Sequence, residues 1–209
     1  MYKTHQRFSD KFRSHWIKVK FYEHKPDLNK AKKLKGVRFC EATKQAISGP
    51  VLLDKDSINC SGAQYAFGWS DFGKDEGVFF NSCQDKRKAN KVILNSLFTH
   101  APRFKESFSY IGLNTEGEPD LIMSYLSPEE AMNLVKIYNN HQGGSLDVSL
   151  SSMMPICAGI AVRTYREKRI SFSFGCDDSR KFAQIGRDRL AVGVPWKLSN
   201  DFMVKKGDE

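Results

Sequence analysis

The residues in this chain best suited to chemistry are its cysteines, Cys40, Cys60, Cys83, Cys157 and Cys176. An odd number cannot all pair within one chain, so a disulfide framework does not account for them. Metal ligation, thiol reactivity and plain burial remain. Cys40 and Cys60 stand 20 residues apart, and Cys157 and Cys176 stand 19 apart. There is no CxxC pair, so the tight ligand knuckles of zinc ribbons and ferredoxins are missing.

Other candidates are weaker. His5, His15, His24, His100 and His141 include no i, i+4 pair of the kind that places two imidazoles on one metal. Asp177 and Asp178 read as a solvated turn after a strand, and Glu129 and Glu130 belong to a helix start. HQGGS (141–145) is a glycine turn after that helix. No nucleophile, base and acid set, phosphate-binding glycine loop or dinucleotide fingerprint occurs.

The elements around the cysteines decide what their thiols can do. Cys60, Cys157 and Cys176 fall beside Ser61-Gly62, Pro155 and Gly175, residues that start and stop elements. Helix starts carry unpaired backbone N–H groups, which favour a thiolate. The apolar spacing predicts a helix over 37–48 with Val37, Cys40, Lys44 and Ile47 on one side, so that Cys40 faces inward with Lys44 one turn away. A second helix is expected to open at Cys60 (60–69), and a third to follow Pro155 (153–167) with Cys157 near its start. RISFSFGC (169–176) alternates as a strand does and delivers Cys176 just past its end. Cys83, in the polar run NSCQDKRK, reads as a loop thiol or a buried one.

The rest of the chain supplies the scaffold. A helix is expected over 4–14, strands over 16–23, 108–114 and 119–126, a basic loop over 24–36, and a turn with a short strand over 49–59. Residues 70–88 read as surface loop and 89–100 as helix. SPEEAMNLVKIYNN carries a clear helix start: Ser127 caps, Pro128 fits the first turn, and Glu130 completes a capping box. Its apolar stripe is Ala131, Leu134, Val135 and Tyr138. Pro195 and Trp196 precede a short amphipathic run. The expected class is α+β: one compact domain over 1–209, a mixed sheet flanked by helices, with segment 1–35 packed on it and 203–209 frayed.

With 209 residues, 40% hydrophobic and 12% aromatic, the chain can bury a sizeable core. It has no run of eighteen apolar residues, and its N-terminus is polar, so a cytoplasmic location without membrane contact is expected. The net charge is +9, but residues 1–35 hold eleven Lys or Arg against three acidic residues, a net of +8. A solvated basic face explains that run more simply than an anion site. Its interleaved aromatics, Phe8, Phe12, Trp16, Phe21 and Tyr22, are spaced for packing rather than base stacking, so nucleic acid is not the expected partner.

Several ordered segments, FCEATKQA, INCSGAQYAFGW, PDLIMSYLSPEEAMNLV, ICAGIAV, FSFGCDDSRKF and GVP, resemble domain of unknown function family 169, an uncharacterised group found chiefly in archaea and anaerobic bacteria. The resemblance implies that Cys40, Cys60, Cys157 and Cys176 occupy the family's four cysteine positions and Arg180 its arginine. Cys83 matches none of them, and Ser61 stands where proline is frequent. With the resemblance added, those four cysteines are expected to hold an iron-sulfur cluster of the 4Fe-4S type, with zinc as the alternative and Lys44 and Arg180 balancing the charge. The expected role is redox, sulfur or one-carbon chemistry on a small molecule in an anaerobe. An electron-transfer or accessory subunit docking to a redox partner protein, and a non-redox module holding zinc or a polyanion, are the alternatives. The reaction, and association into a homo-oligomer, stay open.

Overall fold

The computed structural model describes residues 12, 14–70, 102–150 and 154–204. The expected helices at 4–14 and 89–100, the loop at 70–88 and Cys83 fall wholly or almost wholly outside them. WIKVKFY alternates large apolar and amphipathic residues, and it forms the central strand, β1 (Trp16–Tyr22). β1 pairs antiparallel with β4 (Tyr110–Leu113) on one side and β5 (Leu121–Leu126) on the other.

Beyond β4 lie β3 (Val51–Asp54) and the two-residue β2 (Lys32–Lys33), and beyond β5 lie β7 (Leu190–Pro195) and the edge strand β6 (Ser171–Ser173). The order is β2-β3-β4-β1-β5-β7-β6, and among the described strands only β2–β3 is parallel, which makes the sheet mixed. With the six α-helices among the described residues added, the architecture is the expected α+β arrangement.

Strand alternation sends successive side chains to opposite faces. On one face Ile17, Val19, Phe21, Leu121, Met123 and Ala191 are buried under α1 (Phe39–Gln45), α2 (Ser61–Ala66) and a helical turn at Cys157–Val162. On the other, Trp16, Ile122, Leu126, Val192 and Val194 are covered by α3 (Pro128–Gln142) and α6 (Trp196–Val204).

The capping box of α3 forms as expected. Ser127 Oγ accepts from the Glu130 N–H at 3.2 Å, the Glu130 carboxylate accepts from the Ser127 N–H at 2.9 Å, and Gly143 (φ 72°) ends the helix in the left-handed conformation. Glu130 also accepts from Ser14 N–H (3.0 Å), Ser14 Oγ (2.8 Å) and Arg189 Nη1 (3.1 Å), fastening the entry to β1 and the approach to β7 onto the helix start.

Three expectations change. The helix at 37–48 begins only at Phe39, because Val37 forms a bridge to Ile58. It ends in a 3₁₀ turn, and its inward stripe is Phe39, Cys40, Ala42, Thr43 and Ala46. Lys44 and Ile47 point outward, with Ile47 43% exposed. The helix after Pro155 starts as a π-turn over Cys157–Val162, with Gly159 N–H bonding Met154 O and Ala161 N–H bonding Ile156 O, both at 3.1 Å, before continuing as α4 (Arg163–Glu167). The strand at 169–176 shrinks to three residues, because Gly175 (φ 78°) turns the chain out of the sheet into α5 (Asp177–Phe182). Asp177 and Asp178 are thus the first turn of that helix rather than a free turn.

Candidate functional site

Each of the four matched cysteines begins, or nearly begins, a short helical element. Cys40 is the second residue of α1, Cys60 is the N-cap of α2, Cys157 opens the π-turn and Cys176 is the N-cap of α5. Such positions carry backbone N–H groups with no helical partner. Here such groups face three of the sulfurs, Glu41 N–H at Cys40, Gly62 and Ala63 N–H at Cys60, and Ser179 N–H at Cys176 at 3.4 Å, whereas the Ala158 N–H beside Cys157 donates to the Met154 carbonyl at 2.9 Å.

Cys40 and Cys157 are buried, while Cys60 and Cys176 are half-buried, and all four are free thiols. Burial pushes Cys40 up to about 12, and Cys176 and Cys60 add to the rise. Burial also raises Cys60 and, well above the usual range, Cys157, the latter helped by Cys60, Cys176 and Cys40. The four sulfurs, drawn from segments spread over more than half the chain, therefore lie within electrostatic reach of one another.

The Cys176 turn is tightly made. Ser179 Oγ accepts from the Cys176 N–H and donates to the Cys176 carbonyl, both at 2.8 Å. A Cβ on Gly175 would meet that Oγ at 2.6 Å, so a residue without a side chain is required on steric as well as conformational grounds. Arg180 braces the same turn, its guanidinium donating to the carbonyls of Phe174 (2.5 Å), Arg189 (3.2 Å) and Gly186.

Lys44 is exposed and donates to Gln184. The cation that acts on the thiols is Arg38, which holds Cys40 and Cys60 lower than burial alone would. Arg38 is fixed by Asp178 at 3.2 Å and by the ring of Phe182 at 3.6 Å. Its signal in the sequence is its place immediately before the FCEA helix.

Tyr125 is a second residue the motif reading passed over. On β5 it follows Leu121 and Met123 onto the cysteine face, and its hydroxyl lies 2.7 Å from Thr43 Oγ1, which donates to the Cys40 carbonyl at 2.7 Å. Burial pushes the phenol up, the Thr43 bond opposes this, and Cys40 and Cys176 add to the rise. Strand parity in LIMSYL is the signal that could have found it.

Among the described residues no group of three or more His, Cys, Asp or Glu is placed to hold a metal ion. The four thiols are soft donors within electrostatic reach of one another, the donor type that a thiolate-bound centre uses. The N–H groups aimed at the sulfurs suit the same group, since such bonds stabilise thiolate-bound clusters. Deprotonation of the raised thiols would accompany binding.

A mixed sheet with short helices converging four thiols on one face defines a cysteine-centred α+β protein. The chain belongs to the family described as uncharacterised ArCR, COG2043 (DUF169), which matches residues 11–204. It is also 31% identical over 89 residues to an uncharacterized protein of Methanocaldococcus jannaschii, an alignment that covers 43% of this chain and 38% of that protein. No solved structure matches it. No helix among the described residues is long and apolar enough to cross a membrane.

Proposed function

We propose that this chain is an iron-sulfur protein whose cluster, of the 4Fe-4S type, is held by Cys40, Cys60, Cys157 and Cys176. The observation that carries the reading is the convergence of four thiols, each at or next to the start of a helical element, with the Ser179 N–H bonded to Cys176 and further backbone N–H groups facing Cys40 and Cys60. When bound, the cluster would supply one-electron chemistry or a site for a small-molecule ligand at one iron. The chain's own residues bury Cys40 and Cys157, partly shield Cys60 and Cys176, and place the Arg38 charge beside the anionic centre.

A small-molecule reaction in redox, sulfur or one-carbon chemistry follows from dispersed ligands, which embed a cluster within the fold. An electron-transfer subunit is the second reading, and one observation favours it: Phe174, two residues from Cys176, is 61% exposed, an apolar contact for a partner protein next to a half-buried ligand. Anaerobic purification followed by iron and sulfide analysis, with optical and electron paramagnetic resonance spectra, tests the proposal. About four irons and four sulfides per chain are expected. A colourless, iron-free protein from an anaerobic preparation, unaltered by reconstitution with iron and sulfide, would sink it.

A further inference from the structure

We infer that the groove beside the edge strand β6 is a two-fold interface at which a second copy of this chain docks, edge to edge. Four of the five exposed large hydrophobic residues among the described ones are Met132, Val148, Leu150 and Phe174, and all four line this one groove. It measures about 340 Å³ and lies between the outer side of α3, the segment after that helix, and β6. None of its described lining residues is charged. Ser173, the one polar side chain among them, already accepts from the Gly175 N–H at 3.0 Å. A small-molecule site needs polar groups free to orient its ligand, so this lining fits an apolar macromolecular surface better.

Two features favour a copy of the chain over an unrelated peptide. Leu146, Val148 and Leu150 alternate with Asp147 and Ser149, the period of a strand, and all three line the groove, yet the segment belongs to no strand. Among the described residues no backbone–backbone hydrogen bond joins it to another element. β6 ends the sheet order, so one surface presents both an open sheet edge and a strand pattern without a sheet. A docked peptide would satisfy the edge and leave the segment exposed, whereas a two-fold axis lets each copy serve the other in both respects. The second feature is charge. The far edge of the sheet, β2, is guarded by exposed Lys32 and Lys33, within the run that holds +8 of the net +9. Copies joined at β6 keep those basic runs at opposite ends. Because β6 has three residues, apolar burial rather than strand pairing supplies most of the affinity.

This interface requires no bound metal, so its test stands apart from that of the iron-sulfur reading. The measurement is sedimentation equilibrium of the full chain, wild type against Leu150→Asp, Met132→Asp and Ile47→Asp. Leu150 is 52% exposed and the other two are comparably exposed, so none of the three substitutions reaches the core, which circular dichroism verifies. Leu150 and Met132 lie in the groove, and Ile47, in the turn that ends α1, does not. Wild type is expected to sediment as a dimer at about 100 µM, a concentration that populates even micromolar association. Leu150→Asp and Met132→Asp each put like charges into apolar contact across the axis, and each is expected to raise the dissociation constant about a hundredfold or more. Ile47→Asp is expected to leave it unchanged. A wild type that is monomeric at that concentration gives the groove to another partner and overturns the inference. So does a dimer that both groove variants leave intact, or one that Ile47→Asp disrupts equally.

Discussion

The two faces of the sheet are built differently. The face under α3 and α6 is regular: a 15-residue helix with a full capping box and a left-handed glycine stop lies over Ile122, Leu126, Val192 and Val194. The cysteine face is assembled from helices of six or seven residues, a six-residue π-turn and non-glycine residues in left-handed conformation such as Met154. Short elements are poor at providing stability by propensity, since each adds few helical bonds for the cost of nucleating it. What they do provide is ends. Four starts on one face bring four sulfurs within electrostatic reach, three of them beside N–H groups at a helix start, and a π-turn is a frequent mark of functional sites. One face thus carries regular packing and the other carries geometry.

If that division is correct, damage to the regular face should lower stability without altering the site. Leu134 is fully buried on α3, and Leu134→Ala should cost about 2–5 kcal/mol, read from urea denaturation, through lost transfer free energy and the cavity left behind. Cluster content per folded chain should not change. A variant that folds but loses iron would show that the faces are coupled.

Glu130 offers a pH-dependent version of the same experiment. Partial burial pushes its carboxyl up, but the donors from Ser127 and Ser14 outweigh this and hold it below the usual carboxylate value. A depressed folded value contributes stability that is present above the unfolded pKa, near 4.5, and is lost as pH falls through the folded one. Stability measured from pH 7 down to 3 should therefore drop in the wild type below about pH 4.5. Glu130→Gln should flatten that drop and cost about 1.5–3 kcal/mol at pH 7, the range for hydrogen bonds to a charged group.

On the cysteine face the matching variant is Gly175→Ala. The left-handed backbone there costs an L-residue about 1–2 kcal/mol, and the new methyl group would displace Ser179 Oγ from both of its bonds to Cys176. Cluster content should fall by more than the modest loss of stability explains, which Leu134→Ala should not reproduce. Equal iron in the two variants would argue against a geometric role for this turn.

Much of the regular face was legible because its signals are local. Alternation in WIKVKFY and LIMSYL sets two strands, and Ser127, Pro128 and Glu130 mark the start of α3 within four residues. On the cysteine face Pro155 and Gly175 also spoke locally, which is why Cys157 and Cys176 could be placed near element ends. The remainder depends on tertiary contact. β2 is two residues long and exists only through pairing with β3. The π-turn has no local signature; small residues there let it press on β7, where a Cβ on Gly193 would come within 2.9 Å of Ile160 Cγ2. The helical wheel drawn from Val37 went astray because Val37 bridges to Ile58, so the helix starts two residues later and the inward stripe rotates with it.

That rotation decides which cation serves the thiols, and a pair of variants separates the candidates. Lys44, exposed on the outer side of α1, should be replaceable by alanine with a change within about 0.5 kcal/mol. Arg38→Ala removes the partly exposed pair with Asp178, worth about 0.2–1 kcal/mol. It also removes the charge that holds Cys40 and Cys60 below the values burial alone would set. Without Arg38 those thiols should ionise at higher pH. Because the thiolate is the nucleophile, alkylation of the metal-free protein across the alkaline range should be slower in Arg38→Ala than in wild type, and unchanged in Lys44→Ala. The reverse result, slower alkylation with Lys44→Ala alone, would return the lysine to the site and mean that α1 presents a different side to the sheet.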